Sequence, residues 1–421
     1  MRVLVTGAYG FIGAFVAAAL EQAGHAVVRA VRYPRGGDAS AITCDLARDV
    51  DAADWRPRLA DVDAVVNCAG ILRERGADTF DAVHVRAPLA LFGAAVQGGI
   101  TRLVQVSALG DPADGAFVAS KHRFDAAALE LHAGAVVLRP SVVYSVRGSY
   151  GGTSLLRALA ALPGVVLLPA GGQQRLQPLA AEDFARIVVA AVERPMGGAR
   201  EVGGPDTVTL RDYLVAWRRW LHCAPAVELA IPAVLVRVAA ALGERIGAGP
   251  FGRTTRRMLE RGNIVRGVDA SDAFGVPPRA LADVLAATPS QVQDRWHARL
   301  YFVLPLLRFT LALLWIGSGL LGLLLPAAAV ATASDSGPLD PHTAVGLARA
   351  AGALDLVLGV LCLSRWRPRL VLAAMAAMAA AYTVLIGSAW PRYWLDPYGG
   401  LVKNVPILAA LAVLLATEER R

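Results

Sequence analysis

The 421-residue sequence predicts an α/β protein. Residues 1–298 read as a doubly wound parallel sheet with a small second lobe, and residues 299–421 as a C-terminal four-helix transmembrane bundle. Three observations predict this. The chain opens with a β-branched run, a glycine-rich turn, a helix-length stretch and a second β-branched run. Further short β-branched runs follow, each ending in small or polar residues. Beyond residue 300 charge all but disappears from long stretches, which carry most of the chain's positive mean hydropathy.

In "MRVLVTGAYGFIGAFVAAALEQAGHAVVRAVR" the first strand is centred on Val3–Val5, the helix ends near Gly24, and "AVVRAV" is the second strand. This order is that of a Rossmann-type dinucleotide fold. Gly7 permits the tight turn, Gly10 lets backbone N–H groups approach a pyrophosphate, and Gly13 lets the helix pack closely on the sheet. The apolar "FIGAFVAAAL" is led only by Arg2 and is interrupted by glycines, so a secretory signal is not expected. Where an NAD site offers a carboxylate to the ribose 2′-hydroxyl stand Val31 and Arg32, with Arg35 close by. Arginine pairs with a 2′-phosphate, which favours NADP over NAD. A solvated strand-end arginine is the plainer alternative.

Later strands end in "CDL" with Asp45, in "NCAG" with Asn67 to Gly70, and in "VSALG" with Ser107. Open α/β sheets bind ligands at such carboxyl ends. The helix that follows contains "AFVASKHRF", with Phe117 four residues before Lys121.

Taken together, "TGAYGFIG", "CDL", "NCAG", "VSALG", "SK" and "LRPSVVY" resemble the ordered motifs of the short-chain dehydrogenase/reductase superfamily. The likeness is to its extended and atypical branch, which includes sugar-nucleotide epimerases and the nucleotide-binding accessory subunit of respiratory complex I. It covers roughly residues 1–290 and fades after 190. The resemblance implies that Gly7, Gly10, Phe11 and Ile12 meet the pyrophosphate, Asp45 and Leu46 the adenine, and Ala69 and Gly70 the ribose side. It also implies that Lys121 bonds the nicotinamide ribose and that Pro140 and Val142 line the nicotinamide.

In that superfamily the tyrosine of YxxxK is the general acid/base, the lysine lowers its pKa, and a serine polarises the reacting oxygen. Ser107 and Lys121 match; Phe117 stands where the tyrosine would be and has no proton to give. Three readings follow. The domain binds NADP structurally or as a sensor; or it catalyses with a substitute donor, the nearby candidates being Tyr144, Tyr150 and His122; or it passes hydride to an acceptor, such as a quinone, that takes its proton from water. Tyr144 also fits a packing role. His122 diverges from Lys121 by about 100° around the helix, so the two do not face one site.

Residues 145–298 hold the substrate lobe and identify no substrate. Asp183 lies near a helix start. Trp217 and Trp220 sit on an amphipathic helix and read as core. "IPAVLVRVAAALGERIG" suits either a membrane surface or a lobe helix. Cys44, Cys68, Cys223 and Cys362 form no CxxC pair, so neither a metal site nor a disulfide framework is indicated. The net charge of +8 is densest at residues 252–267, which lack interleaved aromatics and any nucleic-acid motif. A solvated face, or one toward anionic lipid, accounts for it.

Crossing the hydrocarbon core takes about 20 apolar residues. Residues 301–326, 343–363, 370–390 and the shorter 401–417 are the candidate spans. Arg295, Arg299, Arg365, Arg367, Arg369, Arg420 and Arg421 flank one side, which places both termini in the cytoplasm and the protein in the inner membrane. Arg308 and Asp355 fall at similar predicted depth and could pair, as a structural ion pair or as functional intramembrane charges; Arg349 and Lys403 lie nearer the outer face. Arg308 with "LLWIGSG", "LARAAGALDLVLG", "YTVLIG" and "DPYGGLVKNVPIL" resemble the DoxX-like membrane family. That likeness implies a membrane location and contact with a lipid-soluble redox partner. The expected whole is an NADP-binding oxidoreductase acting on a quinone or lipid-soluble carbonyl. Its rivals are a catalytically silent NADP-binding subunit and a transporter-like module regulated by the nucleotide domain.

Overall fold

Strand β1 (Arg2–Thr6) is an interior strand of a seven-stranded, all-parallel sheet. The computed structural model describes residues 1–246, 250–266, 273–335, 338–397 and 399–418. With β2 (Ala26–Val31), β3 (Ala41–Thr43), β4 (Ala64–Asn67), β5 (Arg102–Val106), β6 (Val136–Pro140) and β7 (Gly198–Val202), the strand order is β7-β6-β5-β4-β1-β2-β3. The order in which strands are added reverses between β1 and β4, and such a switch point opens a crevice at the carboxyl ends. Alternation along β1 sends Val3 and Val5 to one face and Leu4 to the other. The first face packs α1 (Phe11–Gln22) through Val16 and Leu20. The second packs α2 (Ala87–Gln97) and α3 (Ala116–Leu131) through Leu91, Phe92 and Phe124. Phe184, Ile187 and Val188 of α4 (Ala181–Glu193) join α1 on the first face.

The lobe has its own core. Tyr144, Leu168, Tyr213, Trp217 and Trp220 gather around α5 (Leu210–Trp220), with the Arg157 guanidinium 4.4 Å from the Trp217 ring centre. The two tryptophans are core residues. Asp183 is fully buried at the start of α4, where Arg186 and Arg279 hold its carboxyl below the usual range against the cost of burial. After α6 (Ala233–Ile246) comes α7 (Arg253–Arg261), whose Arg253, Arg256 and Arg261 pair with Glu244, Glu260 and Asp114. Much of the basic cluster is thus neutralised within the protein; residue 267, at its end, lies outside the described residues.

Two compact units divide at Arg299 and Leu300. The second contains α8 (Val292–Leu324, which begins before the boundary), α9 (Pro341–Ser364), α10 (Pro368–Ala389) and α11 (Asn404–Thr417). Leu311, Trp315, Leu358, Met375 and Leu411 fill its core. The first three helices are long and apolar enough to cross a membrane. The fourth differs from the expected span: it starts at Asn404 after a turn, and its 14 residues reach only about 21 Å.

The Arg308–Asp355 pair is not formed. Asp355 accepts hydrogen bonds from Ser318 Oγ (3.1 Å) and Tyr382 OH (3.3 Å), while Arg308 pairs with Glu418, just past α11. Ser318 lies about 15 Å farther along α8 than Arg308. Gly359 of α9 packs against Ala312 and Ile316 of α8, and Gly319 of α8 against Gly352 and Leu356, so this register sets Arg308 and Asp355 at different levels. Arg365 (3.4 Å) and Arg369, through its Nε to the Glu418 carbonyl (2.9 Å), join the same cluster. Arg349 donates to the carbonyls of Gly322 (2.9 Å), Leu323 and Leu325 (2.5 Å), which satisfies acceptors left open at the end of α8. Arg420 and Arg421 lie outside the described residues.

Candidate functional site

The site is assembled at the carboxyl ends of β1, β4 and β5. Gly7 has φ +64°, and a Cβ on it would stand 2.9 Å from Ala69 Cα; a Cβ on Gly13 would stand 2.2 Å from the Gly7 carbonyl oxygen. The turn, α1 and the segment after β4 therefore approach more closely than side chains allow. Helix α1 begins at Phe11 behind Gly10, with no side-chain cap and no acidic residue in its first turn. The first-turn N–H groups, including those of Phe11 and Ile12, face outward with the positive end of the helix dipole. A backbone cradle of this kind fits a pyrophosphate.

A buried polar ladder sets the floor. Thr6 Oγ1 donates to Asn67 Oδ1 (2.5 Å), and the Asn67 amide donates to Gln105 Oε1 (2.7 Å), level with the strand register. Asn67 Oδ1 also accepts from the Ala69 N–H (3.3 Å), holding the chain that leads to Gly70.

Lys121 rises to this floor from α3. Its Nζ donates to the carbonyl oxygens of Ala69 (2.8 Å) and Val106 (3.3 Å), leaving one ammonium proton for a ligand. A Cβ on Gly70 would stand 3.1 Å from that Nζ. Burial lowers the Lys121 pKa to about 8, against the raising effects of Asp125 and Cys68. Burial also pushes the Cys68 thiol up to about 12, so it is protonated and unreactive near neutrality.

Ser107 is turned inward. Its Oγ donates to Asp125 Oδ2 (2.8 Å), and Arg139 Nε donates to the same oxygen (2.8 Å). Asp125 is fully buried one turn beyond Lys121 on α3. An ionised carboxylate only accepts, so the Ser107 proton is committed to it.

At Phe117 the structure puts a wall of rings. Phe117 meets His84 edge-on at 5.6 Å and Phe80 at 6.3 Å between centroids. His84 Nε2 accepts from the Ile71 N–H (2.9 Å), so Nδ1 carries the proton and donates to Ser120 Oγ (2.8 Å); Ser120 in turn donates to the Phe117 carbonyl (2.9 Å). Burial, with the Lys121 charge second, lowers the His84 pKa to about 2. His84 is therefore a neutral structural imidazole at physiological pH. It lies in a π-helical turn, Ala82–Arg86, ahead of α2. Pro88 has no N–H and its ring crowds the His84 carbonyl, which accounts for the widened turn.

Among the sequence-derived residues, Gly7, Ala69, Gly70 and Lys121 are in mutual contact, and Gly10, Phe11 and Ile12 begin the adjoining helix. Pro140 ends β6, its carbonyl accepting from the Leu109 N–H (3.1 Å). Val142 packs against the lobe core and Leu46 against the core behind the sheet. Tyr144 is not a substitute acid: it is fully buried in the lobe core edge-on to Trp217, and burial drives its hydroxyl pKa well above the ordinary value. His122 Nε2 lies 3.0 Å from the Ala108 carbonyl. Arg32 donates two hydrogen bonds to Asp78 (2.9 and 2.5 Å) and lies 3.0 Å from Asp45, so both carboxylates already engage its guanidinium. Asp45 further accepts from the Ala47 N–H (3.1 Å). Sequence reasoning missed His84, Asp125 and Arg139, and quoted Ser120 only within the "SK" motif. Only Asp125 had a local signal, its i+4 spacing from Lys121.

Residues 3–203 match the NAD dependent epimerase/dehydratase family, and residues 312–412 match the DoxX-like family. "Epimerase family protein Mb2239" of Mycobacterium bovis is 29% identical over 269 residues, a match covering 58% of this chain and 85% of that protein. Among solved structures, MoeE5 in complex with UDP-glucose and NAD superposes with TM-score 0.53 at 20% identity, over 71% of this chain and 99% of its own. Human epimerase family protein SDR39U1 with NADPH gives 0.51 at 21% identity, over 68% of this chain and 98% of its own. At these identities the structures establish the fold. The chain thus carries an epimerase/dehydratase domain followed by a DoxX-like membrane domain.

Proposed function

We propose that this chain, an epimerase/dehydratase-family domain joined to a DoxX-like membrane domain, is a membrane-bound oxidoreductase that holds a nicotinamide dinucleotide and reduces a lipid-soluble acceptor such as a quinone. The observation that carries the reading is the contrast within one site. The backbone cradle and Lys121 are complete, and the proton donor is replaced by the Phe80–His84–Phe117 wall. The bound cofactor would supply a hydride. The α1 N-terminus and Gly7 would hold its pyrophosphate, and the remaining Lys121 proton its nicotinamide ribose. Phe80 and Phe117 offer an apolar surface suited to a planar acceptor. A quinone would take the hydride on one oxygen and a single proton from water on the other, giving the hydroquinone, so it needs no acid at Phe117.

NADP is the proposed cofactor, with Arg32 exchanging Asp78 for the 2′-phosphate. MoeE5 is described with NAD and SDR39U1 with NADPH, so relatives of this fold are seen with either. The arginines at 295, 299, 365, 367 and 369 favour a cytoplasmic site at the inner membrane, where NADPH is supplied.

A second reading, a catalytically silent cofactor-binding subunit or regulator, is favoured by one observation: the Ser107 proton is held by Asp125. Assay of NADPH binding and oxidation by the detergent-solubilised chain, with and without a short-chain quinone, separates the two. Quinone-dependent oxidation is expected. Tight binding without turnover on any acceptor would overturn the oxidoreductase reading in favour of the silent subunit.

A further inference from the structure

We propose that α6 lies on the bilayer surface, its outward face among the acyl chains and its arginines toward anionic headgroups. A helix packed on a lobe and otherwise wet turns polar residues to water. This one does not. Val236 (8% exposed) and Ala240 (0%) are buried, while Val234, Leu235, Val238 and Leu242 on the opposite arc are 58, 56, 50 and 50% exposed. Their spacing of one, four and eight residues from Val234 makes a single stripe. The strand leading into the helix, Val227–Ile231, leaves Val227 72% and Leu229 52% exposed as well.

Charge indicates the occupant. Of the six arginines in residues 233–261, three pair with Glu244, Glu260 and Asp114, and the remaining Arg237, Arg245 and Arg257 are an excess that suits anionic lipid. The same excess argues against a second copy, because a two-fold contact through this face would bring like charges together. Covalent continuity supplies the surface. The first candidate membrane helix begins at Val292, so the lobe is tethered where a bilayer is always within reach. At 14 residues, α6 reaches about 21 Å, too short to cross and suited to lying flat. The proposal is independent of cofactor and turnover.

The test uses the full chain in nanodiscs of phosphatidylcholine with phosphatidylglycerol, or of phosphatidylcholine alone. A diazirine amino acid is placed at Leu235, at Val238, or at Glu130, an exposed position on α3. Photolysis followed by mass spectrometry is expected to give phospholipid adducts at Leu235 and Val238 at least fivefold above Glu130, and more in the anionic discs. Because the probe replaces outward-facing side chains, the chain should stay folded, checked by an unchanged melting temperature. Should a probe position still disturb folding, Leu242 serves as a third. Adducts no more frequent than at Glu130, or cross-links to protein alone, would overturn the proposal.

Discussion

Ser107 Oγ donates a 2.8 Å hydrogen bond to Asp125 Oδ2, so the serine at the position of a substrate-polarising hydroxyl serves a buried carboxylate instead. Ser107→Ala is therefore expected to leave NADPH affinity unchanged and to lower stability by about 1 kcal/mol. Asp125→Ala removes the partner of both Ser107 and Arg139 and should cost about 2–3 kcal/mol. Denaturant titration in detergent, with cofactor binding measured in parallel, checks both.

Phe117→Tyr places a hydroxyl at the end of a ring already seated against Phe80 and His84. With a carbonyl acceptor, turnover is expected to rise by about two powers of ten, the lower range of a positioned acid. With a quinone it should barely change. Steady-state rates on the two acceptor classes decide it, and an equal rise on both would contradict the role given to Phe117.

Burial lowers the Lys121 pKa from 10.5 to about 8, so the unfolded chain binds more protons than the folded one between those values. Stability must then rise with pH across that window, and the burial penalty is fully present below it. Lys121→Met removes this contribution. The stability of the native chain relative to the variant should climb by on the order of 3 kcal/mol from pH 8 to 10.5. A difference that stays flat across the window would contradict the burial of a charged Lys121.

Arg32 is shared by Asp78 and Asp45. Arg32→Ala is expected to lower the NADPH-to-NADH affinity ratio about tenfold, the value of one charge-assisted contact. Asp78→Asn frees the guanidinium and should raise the ratio. Isothermal titration with both cofactors measures it, and an unmoved ratio in Arg32→Ala would end the NADP assignment.

Gly13→Ala forces a methyl to within 2.2 Å of the Gly7 carbonyl oxygen, which is backbone and has nowhere to go. The turn must open, so loss of cofactor binding with about 1–3 kcal/mol of destabilisation is expected. A variant that binds as the native chain does would show that the close approach is not required.

By itself the sequence determined the sheet, the glycine turn, the lysine at position 121, the absence of its tyrosine and the membrane tail. These are written as local periodicity and fixed spacing, which a one-dimensional reading recovers. Tertiary structure alone decided what the polar groups do. Ser107 finds Asp125, Arg32 finds Asp78, His84 settles behind Phe117, and Arg308 finds Glu418 instead of Asp355. A buried charge or donor must take whichever partner the packing brings within reach, and that partner is set by strand order and helix register. Distance along the chain does not reveal it.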